Sequence, residues 1–272
     1  MNVRDNQGPP GSVGERRMEL KKPVALLFGD SHTYAIQRAI EKRQGKGLPV
    51  SVTAYRLAKM KAGKKQGDTS LEEFVEIIRK LTPDDLVLSL IGGNQHAVFS
   101  TIQHPQRFDF FDPEGRVGVE RDVPVIPYRT LANVFEKGIR NGDGKSLAAL
   151  RNATRARVVH VVPPPPKKDN AFIHRFHETH FANEGIASLG VSSPGLRLKF
   201  WNLQTSLLEK VCAELGVEVL LPPPGAIDAK GFLATDYYAN DATHANFAYG
   251  ELVLREIENR YLSARSNCAA QL

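Results

Sequence analysis

The sequence predicts a three-layer α/β/α fold built on a central parallel sheet of about five strands. Short apolar runs alternate along the chain with segments whose apolar residues recur at helical spacing. One run, LVLSLI at 86–91, is apolar almost throughout, as expected for a strand buried on both faces. Strands separated by helices form parallel sheets covered by helices on both sides, with functional groups at the carboxyl ends of the strands.

The elements follow in order from local patterns. Strands are predicted at 24–28, 49–54, 86–91, 157–162 and 217–221. Helices are predicted at 32–42, at 71–81 after the capping signal DTSLEE, at 198–215 and at 245–261. The segments 97–145 and 163–195 lack clear periodicity, and we expect them to be insertions near the site. One domain is expected over 23–263, with a disordered leader at 1–22 and a flexible tail at 264–272.

Composition excludes several classes of function. The net charge is +6, but four lysines fall in one short segment (59, 61, 64 and 65), and no basic stripe interleaved with aromatics appears. This pattern favours a solvated basic surface, with an anionic substrate or carrier as the alternative, and predicts no nucleic-acid partner. The two cysteines, Cys212 and Cys268, form no disulfide or metal pattern, and Cys212 is expected in the core. With no apolar leader and no run long enough to span a membrane, we expect a cytoplasmic protein.

Four polar clusters fall at or near the ends of predicted elements. They are GDSH at 29–32, GGNQH at 92–96, PPPPKKD at 163–169 and DATH at 241–244. Ser31 would lie at a helix N-terminus, but a serine hydroxyl is a weak nucleophile and needs an adjacent base. His244 can supply the base, Asp241 can orient it, and the amide of Asn94 can donate to an oxyanion. Alternatively, Asp30 and Ser31 could simply cap the following helix.

These residues resemble the motifs of the SGNH (GDSL-type) hydrolases. GDSHT resembles the block that carries the nucleophile, IGGN the block that carries the oxyanion asparagine, and DATHANFAYG the final D-x-x-H block. The resemblance implies a flavodoxin-like strand order. It implies Ser31 as nucleophile and oxyanion donor, Asn94 as the second donor, and His244 and Asp241 as base and orienting acid. The family's remaining block is poorly matched: Gly67 is our choice for its glycine and Gly63 the alternative. Gln95 stands where the family usually has Asp.

The resemblance also implies a reaction. We expect cleavage of an acyl ester, acetyl on a carbohydrate or small molecule above all, through a covalent acyl-serine with no cofactor or metal. The alternative is an O-acyltransferase that moves the acyl group to a sugar hydroxyl. A metal-dependent phosphoesterase is a third reading, because Asp30-x-His32 resembles a metal-ligand pair. His32 and His96 are candidate substrate-lining residues. His174, His177 and His180 recur every three residues. On a helix, their imidazoles would lie on a face that turns gradually around the helix axis.

Overall fold

The structure, a computed structural model, describes residues 23–61 and 63–262. The predicted leader, the predicted tail and Cys268 lie outside the described residues. The strands are β1 (Ala25–Gly29), β2 (Val52–Arg56), β3 (Lys59–Lys61), β4 (Lys64–Gln66), β5 (Leu86–Leu90), β6 (Arg157–Val161) and β7 (Glu218–Leu220). Five of them form one parallel sheet in the order β2-β1-β5-β6-β7, while β3 and β4 form a separate antiparallel hairpin. The predicted fold class and flavodoxin-like order are confirmed.

Helices connect and cover these strands. They are α1 (Thr33–Gln44), α2 (Leu71–Ile78), α3 (Gln95–Ser100), α4 (Tyr128–Asn141), α5 (Asp143–Ala153), α6 (Asn170–Arg175), α7 (Thr179–Asn183), α8 (Ile186–Leu189), α9 (Pro194–Leu215) and α10 (Phe247–Ile257). Short 3₁₀ turns occupy Pro224–Ala226 and Thr235–Tyr237, and a π-helical turn at Glu258–Leu262 follows α10. None of the described helices is both long and apolar enough to cross a membrane.

Alternating side chains of the strands divide the core into two layers. On β1, Ala25 and Leu27 face the layer formed by α1 and α10. Leu26 and Phe28 face the opposite layer, formed by α2, α5 and the end of α9. Phe28 stacks on Phe74 of α2 with ring centroids 4.4 Å apart. Alternation between two apolar faces is what a strand buried on both sides requires. As expected, Cys212 is fully buried.

The segment 97–145 is more regular than its sequence suggested. It contains most of α3, all of α4 and the start of α5, and a third apolar cluster packs α4 against α9. Leu131, Phe135 and Ile139 recur every four residues and are buried, a stripe that predicts a helix. The lack of clear periodicity assigned to this segment was therefore wrong over α4. Between α3 and α4, a buried ion pair from Asp109 to Lys199 fixes the irregular stretch to α9.

The second irregular segment, 163–195, also contains short helices. His174 lies on α6, His177 in the turn that follows, and His180 on α7. The three histidines therefore do not share one helical face, because the chain turns at Phe176 before α7 begins. The segment begins beside α9, where the indole N–H of Trp201 donates to the Pro163 carbonyl at 3.3 Å. Elsewhere, β2 begins three residues later than predicted, at Val52.

Candidate active site

Ser31 lies exposed in the turn between β1 and α1. His32 occupies the N-cap position of α1 and no side chain caps the helix, so the interpretation of Asp30 and Ser31 as caps is not supported. Instead, Asp30 Oδ2 accepts a hydrogen bond from the Gly92 N–H at 2.7 Å. Asp30 thereby ties the turn to the loop after β5 and leaves the Ser31 hydroxyl free for other contacts.

A hydrogen-bonded chain connects three of the predicted site residues. Ser31 Oγ lies 2.7 Å from Nε2 of His244, and Nδ1 of the same ring lies 2.9 Å from Asp241 Oδ2. The other oxygen of Asp241 accepts the backbone N–H of His244 at 2.7 Å. With the ring proton on Nδ1, the imidazole donates to Asp241 and presents an unprotonated Nε2 to the serine hydroxyl. This geometry matches a nucleophile, a base and an orienting acid.

A second carboxylate, which the sequence did not reveal, also faces His244. Glu178 Oε1 lies 3.4 Å from His244 Nδ1 and accepts from the Thr243 hydroxyl at 2.6 Å, while Oε2 accepts from the Ala242 N–H. Burial lowers the pKa of His244, but hydrogen bonds to Asp241 and Glu178 outweigh it and raise that pKa to about 9. Burial opposes ionisation of Asp241, yet hydrogen bonding to the His244 ring holds its pKa well below the usual range.

Lys167 contacts Asp241, the carboxylate at the end of the hydrogen-bonded series, from within the protein. Its side chain is fully buried, and Nζ donates to the carbonyls of Ala239 and Asp241 and lies 3.4 Å from Asp241 Oδ1. Burial lowers the pKa of Lys167, and the Asp241 charge partly counteracts this effect. The loop that carries Asp241 and His244 is therefore fixed by a lysine from the PPPPKKD cluster.

Asn94 reaches the site from the loop after β5, and His32 lies behind it. His32 Nε2 lies 2.7 Å from Asn94 Oδ1, so with the amide in this orientation His32 carries its proton on Nε2. Burial, together with the nearby His244, lowers the pKa of His32 to about 3, which keeps its ring neutral. The Asn94 amide nitrogen has no hydrogen-bond acceptor among the residues that the structure describes, and Asn94 lines the cleft.

The backbone of this loop requires glycine. Gly93 has φ +75°, and a Cβ built on it would lie 2.5 Å from Pro163 Cγ. Its N–H donates to Asp143 Oδ2 at 3.0 Å. Gln95, by contrast, packs against Gly138 of α4, where a built Cβ would lie 2.6 Å from Gln95 Nε2. Asp143, at the start of α5, thus holds the loop that carries Asn94. Gln95, which stands where the family usually has Asp, packs on α4 instead.

Ser31 opens into a cleft of about 570 Å³ between the ends of β1, β2 and β5. The lining residues are Asp30, Ser31, Tyr34, Ala35, Arg56, Leu57, Lys59, Met60, Gln66, Asn94, Ala239, Asp241, His244 and Ala245. The predicted lining residues His32 and His96 are not among them, because both rings are buried against a space of about 20 Å³ behind the Asn94 loop.

The predicted glycines of the poorly matched block also lie outside the cleft lining. Gly67 packs on the end of β2, where a built Cβ would lie 2.4 Å from the Leu57 carbonyl oxygen. Gly63 lies in the turn of the hairpin, with φ +74° and open space around it. The second backbone donor to an oxyanion therefore stays a prediction.

A metal centre built on Asp30-x-His32 finds no support in the geometry. Within residues 23–61 and 63–262, the one group of three or more side chains spaced to hold an ion is Glu178, Asp241 and His244. His32 is instead hydrogen bonded to Asn94, and Asp30 to Gly92. In the group of three, Nδ1 of His244 already meets both carboxylates.

No protein-family model and no curated protein matches the chain. Several solved structures are similar at low identity. A lipopolysaccharide acetyltransferase periplasmic domain from Salmonella ser. Paratyphi A has a TM-score of 0.46 and 13% identity, over 88% of this chain and 84% of that one. A carbohydrate acetylesterase from Sinorhizobium meliloti has a TM-score of 0.45 and 16% identity, over 92% and 100%. A GDSL-like lipase from Bacteroides thetaiotaomicron has a TM-score of 0.45 and 12% identity, over 90% and 93%.

The three motif blocks come together in space. The GDSH, GGN and DATH blocks lie far apart in the chain, and they meet at the carboxyl edge of the sheet, with Ser31, Asn94, Asp241 and His244 around one cleft. In its motifs, its strand order and the arrangement of its site, the chain resembles the SGNH (GDSL-type) hydrolases.

Proposed function

We propose that the protein cleaves acyl esters through a covalent acyl-enzyme on Ser31. The observation that carries this proposal is the continuous hydrogen-bonded chain from Ser31 Oγ through the His244 ring to Asp241, with distances of 2.7 and 2.9 Å. An acetylated carbohydrate is the substrate class that the motif resemblance implies. Ser31 is exposed in an open cleft, so water can reach an acyl group attached to it.

The proposed chemistry proceeds in two steps. His244 Nε2 takes the proton of the Ser31 hydroxyl as Oγ attacks the ester carbonyl, and the resulting imidazolium is stabilised by Asp241 and Glu178. The imidazolium then protonates the leaving alcohol oxygen, and the acyl group stays on Ser31. In the second step, His244 takes a proton from water, the hydroxyl adds to the acyl carbon, and Ser31 regains its proton from His244 as the carboxylic acid leaves.

Asn94 has the proposed role of oxyanion donor. Its amide nitrogen has no hydrogen-bond acceptor among the residues that the structure describes, and its amide oxygen is held by His32. A preorganised donor of this kind stabilises the negative charge that develops on the carbonyl oxygen, and its loss costs about a hundredfold in rate or more. The backbone N–H of Ser31 would be a second donor.

Hydrolysis of 4-nitrophenyl acetate by the purified protein, measured with and without EDTA, tests the proposal. We expect turnover that persists in EDTA and is lost in Ser31→Ala, while Ser51→Ala, a serine remote from the cleft, retains it. Incubation of the wild type with a fluorophosphonate should label Ser31 covalently. Metal-dependent turnover that survives in Ser31→Ala would refute the proposal and favour the phosphoesterase reading.

The same assay separates hydrolase from transferase. Sugar acceptors added in excess should leave the acetate yield unchanged if water is the acceptor. Transfer of the acetyl group to the sugar, at the expense of free acetate, would assign the O-acyltransferase alternative instead.

A further inference from the structure

One wall of the cleft carries basic side chains. It is formed by the end of β2 and the β3–β4 hairpin, from which Arg56, Lys59 and Gln66 line the same cleft as Ser31. Residues 56–67 read RLAKMKAGKKQG, with five cationic residues and no acidic one. The backbone register places Lys59 opposite Gln66 and Lys61 opposite Lys64. The lysine cluster noted in the sequence is therefore part of the hairpin that borders the candidate site.

The negative charges of the cleft are already engaged by groups of the protein. Asp30 has its carboxylate 8% exposed, and it accepts from the Gly92 N–H and pairs with Lys59 at 2.5 Å. Asp241 accepts from the His244 ring and from two backbone N–H groups, and it lies beside the Lys167 ammonium. Neither carboxylate is therefore available to neutralise a further cation at the wall.

Arg56 is that further cation. Its guanidinium lies over the Tyr34 ring, 5.8 Å from the centroid, and both side chains line the cleft. Within the described part of the chain, no carboxylate lies within ion-pair distance of this guanidinium. Asp68 is hydrogen bonded to the backbone N–H and carbonyl of Arg56 and not to its side chain. An aromatic face beneath a guanidinium limits its orientations without neutralising its charge. Its planar fork matches carboxylate and phosphate oxygens.

We infer that this wall is an anion subsite, so that the preferred substrate is an acyl ester whose sugar carries a carboxylate or phosphate group. Arg56 binds the anionic group through its guanidinium, while the Lys59 ammonium is paired with Asp30. This inference rests on the proposed function of Ser31. It gives Arg56, the first cation of this basic segment, a role in substrate selection, whereas the sequence alone favoured a solvated surface.

Matched substrates that differ by one charge test the subsite. The first pair is mono-O-acetyl galacturonate and its uronic methyl ester, and the second is O-acetyl glucose 6-phosphate and O-acetyl glucose. We expect kcat/KM of the wild type to be at least about tenfold higher for the anionic member of one pair, and the preferred pair distinguishes carboxylate from phosphate. Added salt should reduce this preference.

The variant Arg56→Gln should reduce the ratio of anionic to neutral kcat/KM by about tenfold, because the charge-assisted bond is lost. The control Arg79→Gln removes an exposed arginine at the C-cap of α2, outside the cleft, and should leave that ratio as in the wild type. Equal kcat/KM for both members of each pair, or an unchanged ratio in Arg56→Gln, would overturn the inference.

A binding measurement keeps this result separate from the proposed function. Galacturonate, glucose 6-phosphate and glucose are each titrated into the wild type, Arg56→Gln and the non-nucleophilic Ser31→Ala, and affinity is measured by calorimetry. We expect one of the anions to bind the wild type and Ser31→Ala more tightly than glucose does, and Arg56→Gln to lose that difference. If 4-nitrophenyl acetate is not hydrolysed but the anion still depends on Arg56, the acyl-serine mechanism fails and the subsite stands.

Discussion

Substitution of Glu178 tests which carboxylates set the pKa of His244. Its carboxylate lies 3.4 Å from His244 Nδ1, and both side chains are about a quarter exposed. Glu178→Gln keeps the size of the side chain and an oxygen acceptor for Thr243, but it removes one negative charge. The other groups that face the His244 ring are Asp241, the neutral His32 ring at a centroid distance of 4.7 Å, and Lys167 through Asp241.

The size and sign of the effect follow from this geometry. Two unit charges about 4 Å apart attract by about 4 kcal/mol at an effective dielectric constant near 20, which is an upper limit of about three pKa units. Partial exposure and the remaining Gln acceptor reduce this value, so we expect a shift of about one unit, or about 1.4 kcal/mol. Since both carboxylates stabilise the imidazolium, removing one lowers the His244 pKa from about 9 toward the usual value.

In the proposed mechanism only the neutral imidazole can act as general base, so the rate should fall as the pH drops below the pKa of His244. In Glu178→Gln, the acidic limb of kcat/KM against pH should therefore move about one unit lower, and the plateau at high pH should fall because the imidazolium is less stabilised in the transition state. The assay is 4-nitrophenyl acetate hydrolysis from pH 5.5 to 10, with the rate of Ser31→Ala subtracted at each pH.

Glu184→Gln is the matched control. Glu184 belongs to the same segment, but it pairs with His180 at 3.2 Å and not with His244, so its removal should leave the limb in place. If the acidic limb of Glu178→Gln stays at the wild-type position or moves to higher pH, the assignment of Glu178 as a second partner of His244 is refuted.

Three further substitutions test other parts of the site. His32→Phe keeps an aromatic ring but loses the donor to Asn94, so kcat should fall about tenfold to a hundredfold with little change in KM in steady-state assays. Lys167→Met leaves buried carbonyls without a donor and should lower the free energy of unfolding in urea by about 1–3 kcal/mol. Gly93→Ala combines φ +75° with a clash and should lower the free energy of unfolding by about 1–3 kcal/mol, together with activity.

Each of the three has a control in the same chain. His180→Phe removes an exposed imidazole and should keep kcat. Lys168→Met alters the exposed neighbour of Lys167 and should keep stability. Gly47→Ala has φ +66° with nothing within 4 Å, so its cost, about 1–2 kcal/mol, isolates backbone strain from the clash. A proposed role fails where the variant and its control behave alike, or where His32→Phe raises KM and leaves kcat unchanged.

Much of the architecture could be predicted because burial imposes simple patterns on the strands. The run LVLSLI gave β5 within one residue, and the regular spacing of apolar side chains gave α1 and most of α9. The buried apolar residues of α4 also recur at helical spacing in the sequence. Prolines before this helix and glycines within and after it obscured the pattern. Local pattern is weakest where breakers and polar residues interrupt a short amphipathic stripe.

Only some residues of the candidate site could likewise be predicted from local sequence patterns. Ser31, Asn94, Asp241 and His244 could be proposed because each occurs in a short motif whose chemistry is recognisable. The contacts of Glu178 and His32 could not, because they depend on where an irregular segment folds back and on which way a ring turns. Nothing in the spacing of Glu178 relative to DATH indicates that the two meet. The contact of Lys167 with the loop that carries Asp241 could not be predicted either, because it depends on the PPPPKKD cluster packing against Ala239.

The hydrogen bond from Trp201 to Pro163 gives the protein an optical reporter of a segment that contacts the candidate site. Trp201 is the only tryptophan of the chain, and its indole N–H contacts the first residue of the segment that delivers Lys167 and Glu178. Irregular segments such as 163–195 can open at a lower denaturant concentration than the sheet. Intrinsic fluorescence, followed together with 4-nitrophenyl acetate hydrolysis and far-UV circular dichroism, would thus register release of that segment without any attached dye.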